Sequence, residues 1–242
     1  MTFNSRYKRI LLKLSGELLK GTQDFGFDEV VITQLCEQIK EVNIAGVEVA
    51  IVVGGGNIFR GEAPFAAEMD RPTADTIGML ATLLNALILQ ECMERMGLEV
   101  RVLSPLPSPN VAEPFIRREA DKYLKEGQIV VLACGTGSPF FTTDTAAALR
   151  ANELKCDVLL KGTRVLGVYS DDPETTPDAR FYDRISYNQV LREQLKVMDA
   201  TAFALCRDND MPVIIFDMTK QGNLKGVISG EKVGTLVSEK GD

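Results

Sequence analysis

A strand that ends in three consecutive glycines constrains the fold of this chain more than any other feature. Residues 51–53 form an apolar run typical of a buried strand, and residues 54–56 are all glycine. A glycine backbone lets a ligand approach closely, and its amide groups can surround phosphate oxygens. The guanidinium group of Arg60 can add two further hydrogen bonds to a phosphate. Residues 51–61 therefore predict a phosphate site at a strand end, with an ordinary glycine turn beside a surface arginine as the alternative.

The segments around this turn predict a parallel βαβ unit. Residues 10–14 are expected to form a first strand and residues 47–53 a second. Between them lies a predicted helix that Asp28 caps and that stops near Gly46, with an apolar stripe of Val31, Leu35, Ile39 and Val42. Parallel strands joined by helices form open α/β sheets, which bind ligands at the carboxyl ends of their strands.

Two lysines are predicted to lie at that edge of the sheet. Lys13 interrupts an otherwise apolar strand, which is costly unless its ammonium group has a partner or opens into a site. Lys161 directly follows another predicted strand, residues 156–160. Both lysines are candidates for phosphate contact. For Lys13, the alternative is an edge strand whose lysine extends into solvent.

A second glycine turn follows a predicted strand at residues 129–133. Gly135 and Gly137 precede two aromatic residues, Phe140 and Phe141, and a helix that begins near residues 142–144. The first turn of a helix attracts anions, and adjacent aromatic rings can cover a nucleotide base. The alternative is a well-capped helix with aromatic residues in the core. Two glycine-ended strands in one chain favour the ligand site.

Several other positions have more than one interpretation. Asp75 is predicted to lie just before a long apolar helix, residues 76–96, where it would cap the helix or accept hydrogen bonds from a sugar. Asn85 interrupts that helix, whose apolar residues predict burial in the core or at a subunit contact. Capping explains Asp199 near the first turn of a later helix. Tyr169 lies in a predicted hairpin and could stack on a planar ring.

Composition narrows the chemistry. The 242 residues include no histidine, which excludes Ser-His-Asp and Cys-His nucleophile systems and removes the usual general base. Phosphoryl transfer tolerates this absence, because it depends on positioning and on neutralising charge. The net charge of -7 argues against a nucleic-acid partner. The scattered cysteines predict reduced structural thiols, and the lack of a membrane-length apolar run or signal segment predicts a cytoplasmic protein without a membrane partner.

A series of motifs follows in order between residues 7 and 238: KLSG (13–16), GGGNIFRG (54–61), GMLATLLN (78–85), GTGSPFFTTD (135–144), KGTRVLGVYSDDP (161–173) and KVMDATAF (196–203). Together they resemble the motifs of bacterial uridylate kinases, in the amino acid kinase superfamily. The resemblance implies an α/β fold, a three-layer αβα sandwich around a central, mainly parallel open sheet, with residues 1–242 as a single amino acid kinase domain. It also implies transfer of the γ-phosphoryl group of ATP to UMP, giving UDP and ADP in pyrimidine nucleotide biosynthesis.

The same resemblance implies roles for individual residues. The catalytic set would be Lys13, Lys161, Asp199 and Arg60, with the lysines neutralising charge on the transferring group and Asp199 holding the lysines in place. The ATP site would comprise Lys13, Leu14, Ser15, Gly16, Gly56, Arg60, Thr163, Tyr169 and Asp172. The UMP site would comprise Gly55, Asp75, Thr136, Gly137, Ser138, Pro139, Phe140, Phe141, Thr142 and Thr143, with Asp75 contacting ribose hydroxyls.

A cofactor, effectors and an assembly are also implied by the resemblance. Mg2+ would be carried with ATP, without a metal site of the protein's own. GTP would activate the protein through the loop Gly21, Thr22, Gln23, Asp24, Phe25 and Gly26, and UTP would inhibit it. The family is typically hexameric, so a homo-oligomer is expected. Leu166, Ser138 and Ala74 depart from the residues usual in the family.

Two other functions remain in view. The same fold and chemistry could serve a kinase for a small carboxylate or a carbamate, although the FFTTD segment argues for a nucleotide acceptor. A non-catalytic nucleotide-binding or storage relative is the other candidate. Retention of Lys13, Lys161 and Asp199 argues against that reading.

Overall fold

The computed structural model describes residues 4–60, 68–171, 175–176, 178–195 and 197–239. The first half of the chain contains β1 (Arg9–Leu14), α1 (Gly16–Leu19), α2 (Glu29–Ile44), β2 (Glu48–Val53), α3 (Arg71–Arg95), β3 (Val100–Ser104), β4 (Glu113–Pro114), α4 (Arg117–Lys125) and β5 (Ile129–Leu132). The second half contains α5 (Thr143–Glu153), β6 (Val158–Thr163), β7 (Val168–Tyr169), β8 (Phe181–Tyr182), β9 (Arg184–Ser186), α6 (Tyr187–Arg192), α7 (Ala200–Asp208), β10 (Val213–Asp217), α8 (Asn223–Ser229) and β11 (Thr235–Ser238).

One mostly parallel sheet organises these elements. Within the described ranges it has nine strands in the order β4-β3-β5-β2-β1-β6-β10-β11-β9. The β10–β11 pair is antiparallel, and the other neighbours pair in parallel. The strands β7 and β8 form a small antiparallel pair beside it. The predicted mainly parallel sheet is therefore confirmed, and its central strand β1 is flanked by β2 and β6.

Helices cover both faces of the sheet. Alternate residues of β1 point to opposite faces, so that Ile10 and Leu12 join one apolar cluster and Leu11 joins the other. The first cluster contains buried residues of α2, α3 and α8, and the second contains those of α4, α5, α6 and α7. Burial on both faces explains why the central strands are continuous apolar runs. The arrangement is the predicted three-layer αβα sandwich.

Helix caps fix where the helices begin. Asp28 caps α2 as predicted, accepting hydrogen bonds from the backbone N–H groups of Val30 and Val31. The helix α3 begins five residues before the predicted start at residue 76, because Asp70 caps it and Pro72 lies in its first turn. Asp75 is thus inside the helix, and its predicted capping role is wrong.

The helix α3 also corrects an expectation about membranes. Its 25 residues are long and apolar enough to cross a membrane, whereas the sequence was expected to lack such a run. In the structure, α3 packs against α2 and β3, and 44% of its most apolar 18-residue segment is buried. The helix α3 is therefore one of the helices that cover a face of the sheet.

The cysteines are buried thiols, as the prediction of structural thiols requires. All five are buried: Cys36, Cys92, Cys134, Cys156 and Cys206. Burial raises the pKa of the Cys156 and Cys206 thiols to about 12. Both thiols therefore stay protonated, and unreactive, near neutral pH.

Alanine substitutions of Gly234 and Gly97 test how closely the β10–β11 connection packs. Both Gly234 (φ 78°) and Gly97 (φ 83°) have left-handed backbones, but a Cβ on Gly234 would lie 2.2 Å from the Ile215 carbonyl oxygen, while one on Gly97 meets open space. Gly97→Ala should lower the free energy of unfolding by about 1 kcal/mol. Gly234→Ala should lower it by about 2 kcal/mol more, because the backbone must also move. Urea unfolding measures both, and equal losses would contradict the predicted overlap.

Candidate active site

Two buried lysines lie side by side at the carboxyl edge of the sheet. Lys13 of β1 and Lys161 of β6 are register partners on adjacent parallel strands. The Asp144 carboxylate, from the first turn of α5, binds both. One oxygen lies 2.8 Å from the Lys13 Nζ atom and the other 2.7 Å from the Lys161 Nζ atom. The predicted convergence of these two lysines is confirmed.

The electrostatics of this trio depend on its burial. Burial and the neighbouring Lys13 charge lower the pKa of Lys161, although Asp144 opposes the shift. Burial alone would raise the pKa of Asp144, but the two lysines outweigh it and the pKa falls below its ordinary value. Two ammonium groups and one carboxylate give the trio itself one net positive charge, and the Asp199 carboxylate, which raises the pKa of Lys161, offsets part of it. Such a site attracts an anion that can approach both lysines.

Asp199 is predicted to cap a helix and to hold the lysines, and the structure confirms the cap. Asp199 caps α7 through the Ala202 N–H, at 2.9 Å. Its carboxylate also accepts hydrogen bonds from the hydroxyls of Thr142 and Thr145. The lysines bind Asp144 directly, and Asp199 fastens the start of the helix that carries Asp144. The charge of Asp199 also acts on Lys161, whose pKa it raises. Sequence reasoning assigned Asp144 no role, although the helix-starting TTD triplet of residues 142–144 was the available signal.

A cavity of about 270 Å³ opens beside this trio, between the turn after β2, the helix α3 and the loop after β5. Several residues predicted to bind UMP line this cavity: Gly55, Asp75, Thr136, Ser138, Phe141, Thr142 and Thr143. The lining is completed by residues that were not predicted to bind UMP: Gly56, Phe59, Ala74, Gly78, Met79, Thr82 and Gly135. Since Thr142 and Thr143 immediately precede Asp144, the cavity and the lysine pair share the start of α5.

The remaining predicted UMP residues lie at the edge of this cavity. The Phe140 N–H donates to the Asp75 carboxylate at 2.7 Å, and the Phe140 backbone is left-handed (φ 71°). Arg71 pairs with Asp75 at 3.1 Å, and its guanidinium lies 5.5 Å from the centre of the Phe140 ring. Phe140 itself is exposed, and Gly137 and Pro139 belong to the same loop. The structure therefore brings Phe141, and not Phe140, against the cavity.

The turn that follows β1, at Ser15 and Gly16, touches the GGG turn that follows β2. Leu14 and Gly16 are buried, and Ser15 caps α1 through the Glu17 N–H at 3.2 Å. A Cβ on Gly16 would lie 2.7 Å from the Gly54 carbonyl oxygen and 2.7 Å from the Gly56 nitrogen. Only glycine permits this approach. The predicted ATP turn and the GGG turn therefore form one continuous backbone surface.

Arg60 is close to these turns but already has a partner. Its Nε atom lies 3.2 Å from the carbonyl oxygen of Gly56, the residue predicted to lie with it between the nucleotides. Its guanidinium also makes two hydrogen bonds to the Glu17 carboxylate, of 3.0 and 2.7 Å. Lys20 pairs with the same carboxylate at 3.0 Å. The sequence did not indicate Glu17, because a carboxylate after a glycine turn has no distinguishing pattern.

The other predicted ATP residues lie beyond β6. Thr163 ends β6, and its hydroxyl donates to the Phe216 carbonyl oxygen at 3.1 Å. The Tyr169 ring packs edge-on against Phe181, with ring centres 5.2 Å apart. Asp172 lies outside the described residues.

The predicted effector loop is hydrogen-bonded to Lys20 after α1, to Arg164 after β6 and to Asn57 of the GGGN motif. Lys20 donates to the Asp24 carbonyl oxygen at 3.1 Å, and Arg164 donates to that of Gly21 at 2.6 Å. Gly26 donates its N–H to the Asn57 carbonyl oxygen at 2.8 Å. The other members of the loop, Thr22, Gln23 and Phe25, are exposed.

Comparisons with known proteins agree with this geometry. The model of the amino acid kinase family matches residues 8–217. The uridylate kinase of Zymomonas mobilis subsp. mobilis is 51% identical over 232 residues, covering 96% of each chain. That of Erythrobacter litoralis is 51% identical over 230 residues, covering 95% of this chain and 97% of the relative. The crystal structure of UMP kinase from Bacillus anthracis matches with a TM-score of 0.94 and 38% identity, covering 97% of each chain.

The chain therefore belongs to the amino acid kinase family. Within that family, the relatives named above are uridylate (UMP) kinases, and the chain matches them along nearly its whole length.

Replacing Asp144 tests the trio. Asp144→Asn leaves the two largely buried ammonium groups without the carboxylate that binds both and should lower the free energy of unfolding by about 3–5 kcal/mol at pH 7. The pKa of Asp144 is depressed in the folded protein, so its stabilisation is present above the ordinary value of 3.8 and is lost as pH falls through the folded pKa. The difference between the two proteins should therefore shrink below pH 3.8.

Asp208→Asn is the matched control, because Asp208 makes an exposed ion pair with Arg207. Urea titrations of all three proteins between pH 2 and 7 measure the effect. An Asp144→Asn loss no larger than that of the control would show that the lysines need no counter-charge.

Proposed function

We propose that this chain transfers the γ-phosphoryl group of ATP to UMP, giving UDP and ADP, as a step of pyrimidine nucleotide biosynthesis. The start of α5 carries the proposal. Thr142 and Thr143 line the cavity, and the next residue, Asp144, binds Lys13 and Lys161. A nucleotide phosphate in the cavity would therefore lie beside the lysine pair. The full-length similarity to uridylate kinases supports the same reaction.

The proposed ATP site is the edge formed by β1, β6 and the turns that follow them. The backbone of Leu14, Ser15, Gly16 and Gly56 would surround the phosphates, while Thr163, Tyr169 and Asp172 would contact the rest of the nucleotide. The proposal is supported by the close approach of Gly16 to Gly56. It is also supported by the parallel alignment of β1 with β6, which directs both lysines to the same edge.

The proposed UMP site is the 270 Å³ cavity, with Asp75 accepting hydrogen bonds from ribose hydroxyls. The loop of residues 136–143 would bind the uracil and the phosphate. Asp75 already accepts the Phe140 N–H, so one carboxylate can join the sugar to the loop that holds the base. Phe141, which lines the cavity, would be the aromatic residue that contacts the base.

The proposed chemistry needs no general base. The UMP phosphate is largely ionised at neutral pH, because its second pKa is about 6. Its oxygen can attack the γ-phosphorus in line, while Lys13 and Lys161 stabilise the charge on the transferring group. Arg60 would exchange Glu17 for phosphate oxygens as the nucleotides bind. This scheme accounts for a phosphotransferase that has no histidine.

Mg2+ is proposed to arrive with ATP. Among the described residues, no cluster of three or more Asp, Glu, Cys or His side chains is suited to hold a metal ion. Mg2+ is commonly held by substrate phosphates and water with one or two carboxylates. When bound, Mg2+ would neutralise charge on the ATP phosphates.

Regulation, assembly and location are further proposals drawn from the family. GTP would activate through residues 21–26, whose contacts with Asn57 and Arg164 give a route to the turns, and UTP would inhibit. The protein would be cytoplasmic and a homo-oligomer, which is a hexamer in the family. A subunit contact is supported by two exposed apolar residues of α3, Leu80 (46%) and Leu84 (51%). One amino acid kinase domain over residues 1–242 is supported by the single large sheet.

An acceptor panel tests the reaction. With Mg-ATP, the protein should form ADP with UMP in clear preference to CMP, glutamate, aspartate and carbamate. Another preferred acceptor would favour a carboxylate or carbamate kinase, and nucleotide binding without turnover would favour a storage role.

Lys13→Ala should lower kcat by about a hundredfold, because it removes one stabiliser of the transferring charge. Lys8→Ala, an exposed lysine near the start of β1, is the control and should leave kcat unchanged.

Sugar discrimination tests Asp75. If its carboxylate binds the ribose, UMP should be preferred to dUMP, and Asp75→Asn should reduce the UMP/dUMP ratio of kcat/KM by about tenfold, the value of one charge-assisted hydrogen bond. Asp70→Asn changes the neighbouring cap residue, which lies outside the cavity lining, and should keep the ratio. An unchanged ratio in Asp75→Asn would remove the ribose role while leaving the reaction intact.

A further inference from the structure

A reciprocal pair of asparagine side chains lies beneath the GGG turn. The Asn85 Nδ2 atom donates to the Asn57 Oδ1 atom at 2.7 Å, and the Asn57 Nδ2 atom donates to the Asn85 Oδ1 atom at 3.0 Å. Asn57 ends the GGGN motif, and Asn85 lies in the middle of α3. Asn57 is 1% exposed and Asn85 fully buried. A buried polar pair of this kind is stable only when its remaining groups are satisfied.

Each amide uses its second N–H to hold a backbone carbonyl. Asn85 donates to the Gly54 carbonyl oxygen at 2.6 Å, and Asn57 donates to that of Gly26 at 3.0 Å. The Gly26 N–H returns a hydrogen bond to the Asn57 carbonyl oxygen at 2.8 Å. All donors of the pair are therefore used, and they join α3, the GGG turn and the end of the loop 21–26.

The pair also contacts the other glycine turn. A Cβ placed on Gly16 would lie 2.6 Å from the Asn57 Oδ1 atom, so the asparagine side chain packs directly against the backbone that follows β1. On its other side, the GGG turn rests on α3, where a Cβ on Gly55 would lie 2.9 Å from the Gly78 carbonyl oxygen. The amide pair therefore occupies the junction of the two turns proposed to hold the phosphates.

We propose that Asn85 is a positioning residue for phosphoryl transfer. Through Asn57 and the Gly54 carbonyl, it sets the relative position of the two glycine turns and links them to the loop 21–26. The inference rests on the proposed function, because it assigns the turns to the two nucleotides. Asn85 itself is not among the residues that line the cavity, so its effect reaches the reaction through the backbone.

The test compares Asn85→Ala and Asn85→Asp with a matched control. Asn85→Asp keeps the shape but loses both donors. The control is Asn43→Ala, because Asn43 donates to the Gly127 carbonyl oxygen at 3.1 Å, at the end of α2 and before β5, at the opposite edge of the sheet. The rate of UDP formation is measured with both substrates saturating, at a temperature where each protein is folded. Hydrogen exchange is followed in peptides covering residues 24–27 and 54–59.

Both Asn85 variants should lower kcat by about tenfold to a hundredfold, because a small displacement of a positioning group has effects of that size. Exchange should rise in both peptides, since the Gly26 N–H and the turn lose their support. Asn43→Ala should keep kcat within about threefold and leave these peptides protected. A lowered melting temperature with wild-type kcat would assign Asn85 a stabilising role only and overturn the inference.

Two further measurements keep the outcome decisive. If the Asn85 variants do not fold, Asn57→Ser is measured in the same way, and wild-type kcat with unchanged exchange overturns the inference. In the double variant Asn57→Ala/Asn85→Ala, the loss should be close to that of one single variant, because the two side chains act as a unit. Failure of the unaltered protein to phosphorylate UMP would refute the proposed function, while the exchange data still test the linkage of turn and loop.

Discussion

The candidate active site at the carboxyl edge of the sheet depends on one carboxylate that lies between two lysines. Lys13 and Lys161 lie side by side because β1 and β6 pair in register, and two buried ammonium groups so close together repel each other strongly. Asp144 compensates with one oxygen for each lysine. The position of α5 therefore matters as much as that of the strands, and the contacts of Asp199 with Thr142 and Thr145 hold the start of this helix in place.

Close backbone packing is the second requirement of the site. The turns after β1 and β2 approach within distances that exclude a Cβ on Gly16, so their amide groups form one surface. Several side chains around this surface already have hydrogen-bond or ion-pair partners. Arg60 and Lys20 both pair with the Glu17 carboxylate, and the side chains of Asn57 and Asn85 hydrogen-bond to each other. The proposed binding of phosphate at Arg60 would then be an exchange of partners, so the gain in affinity would be smaller than for an unpaired arginine.

Local patterns explain why much of the architecture was predictable. Apolar runs ending in glycine indicated parallel strands, the periodicity of Val31, Leu35, Ile39 and Val42 indicated α2, and Asp28 indicated its start. These signals act over a few residues. The start of α3 was missed, although its signal was also local: Asp70 and Pro72 form a cap that the sequence reasoning placed at Asp75. The sequence reasoning also missed that α3 is long and apolar enough to cross a membrane.

The sequence alone determined the kind of sheet, the glycine turns at its carboxyl edge, the two lysines there and a chemistry without histidine. Tertiary structure decided which groups pair: Asp144 with the lysines, Glu17 with Arg60, Asp75 with Phe140 and Asn57 with Asn85. Secondary structure follows from neighbours along the chain. Pairing joins residues that are distant in sequence, so it is fixed only when packed strands and helices bring their side chains within hydrogen-bonding distance.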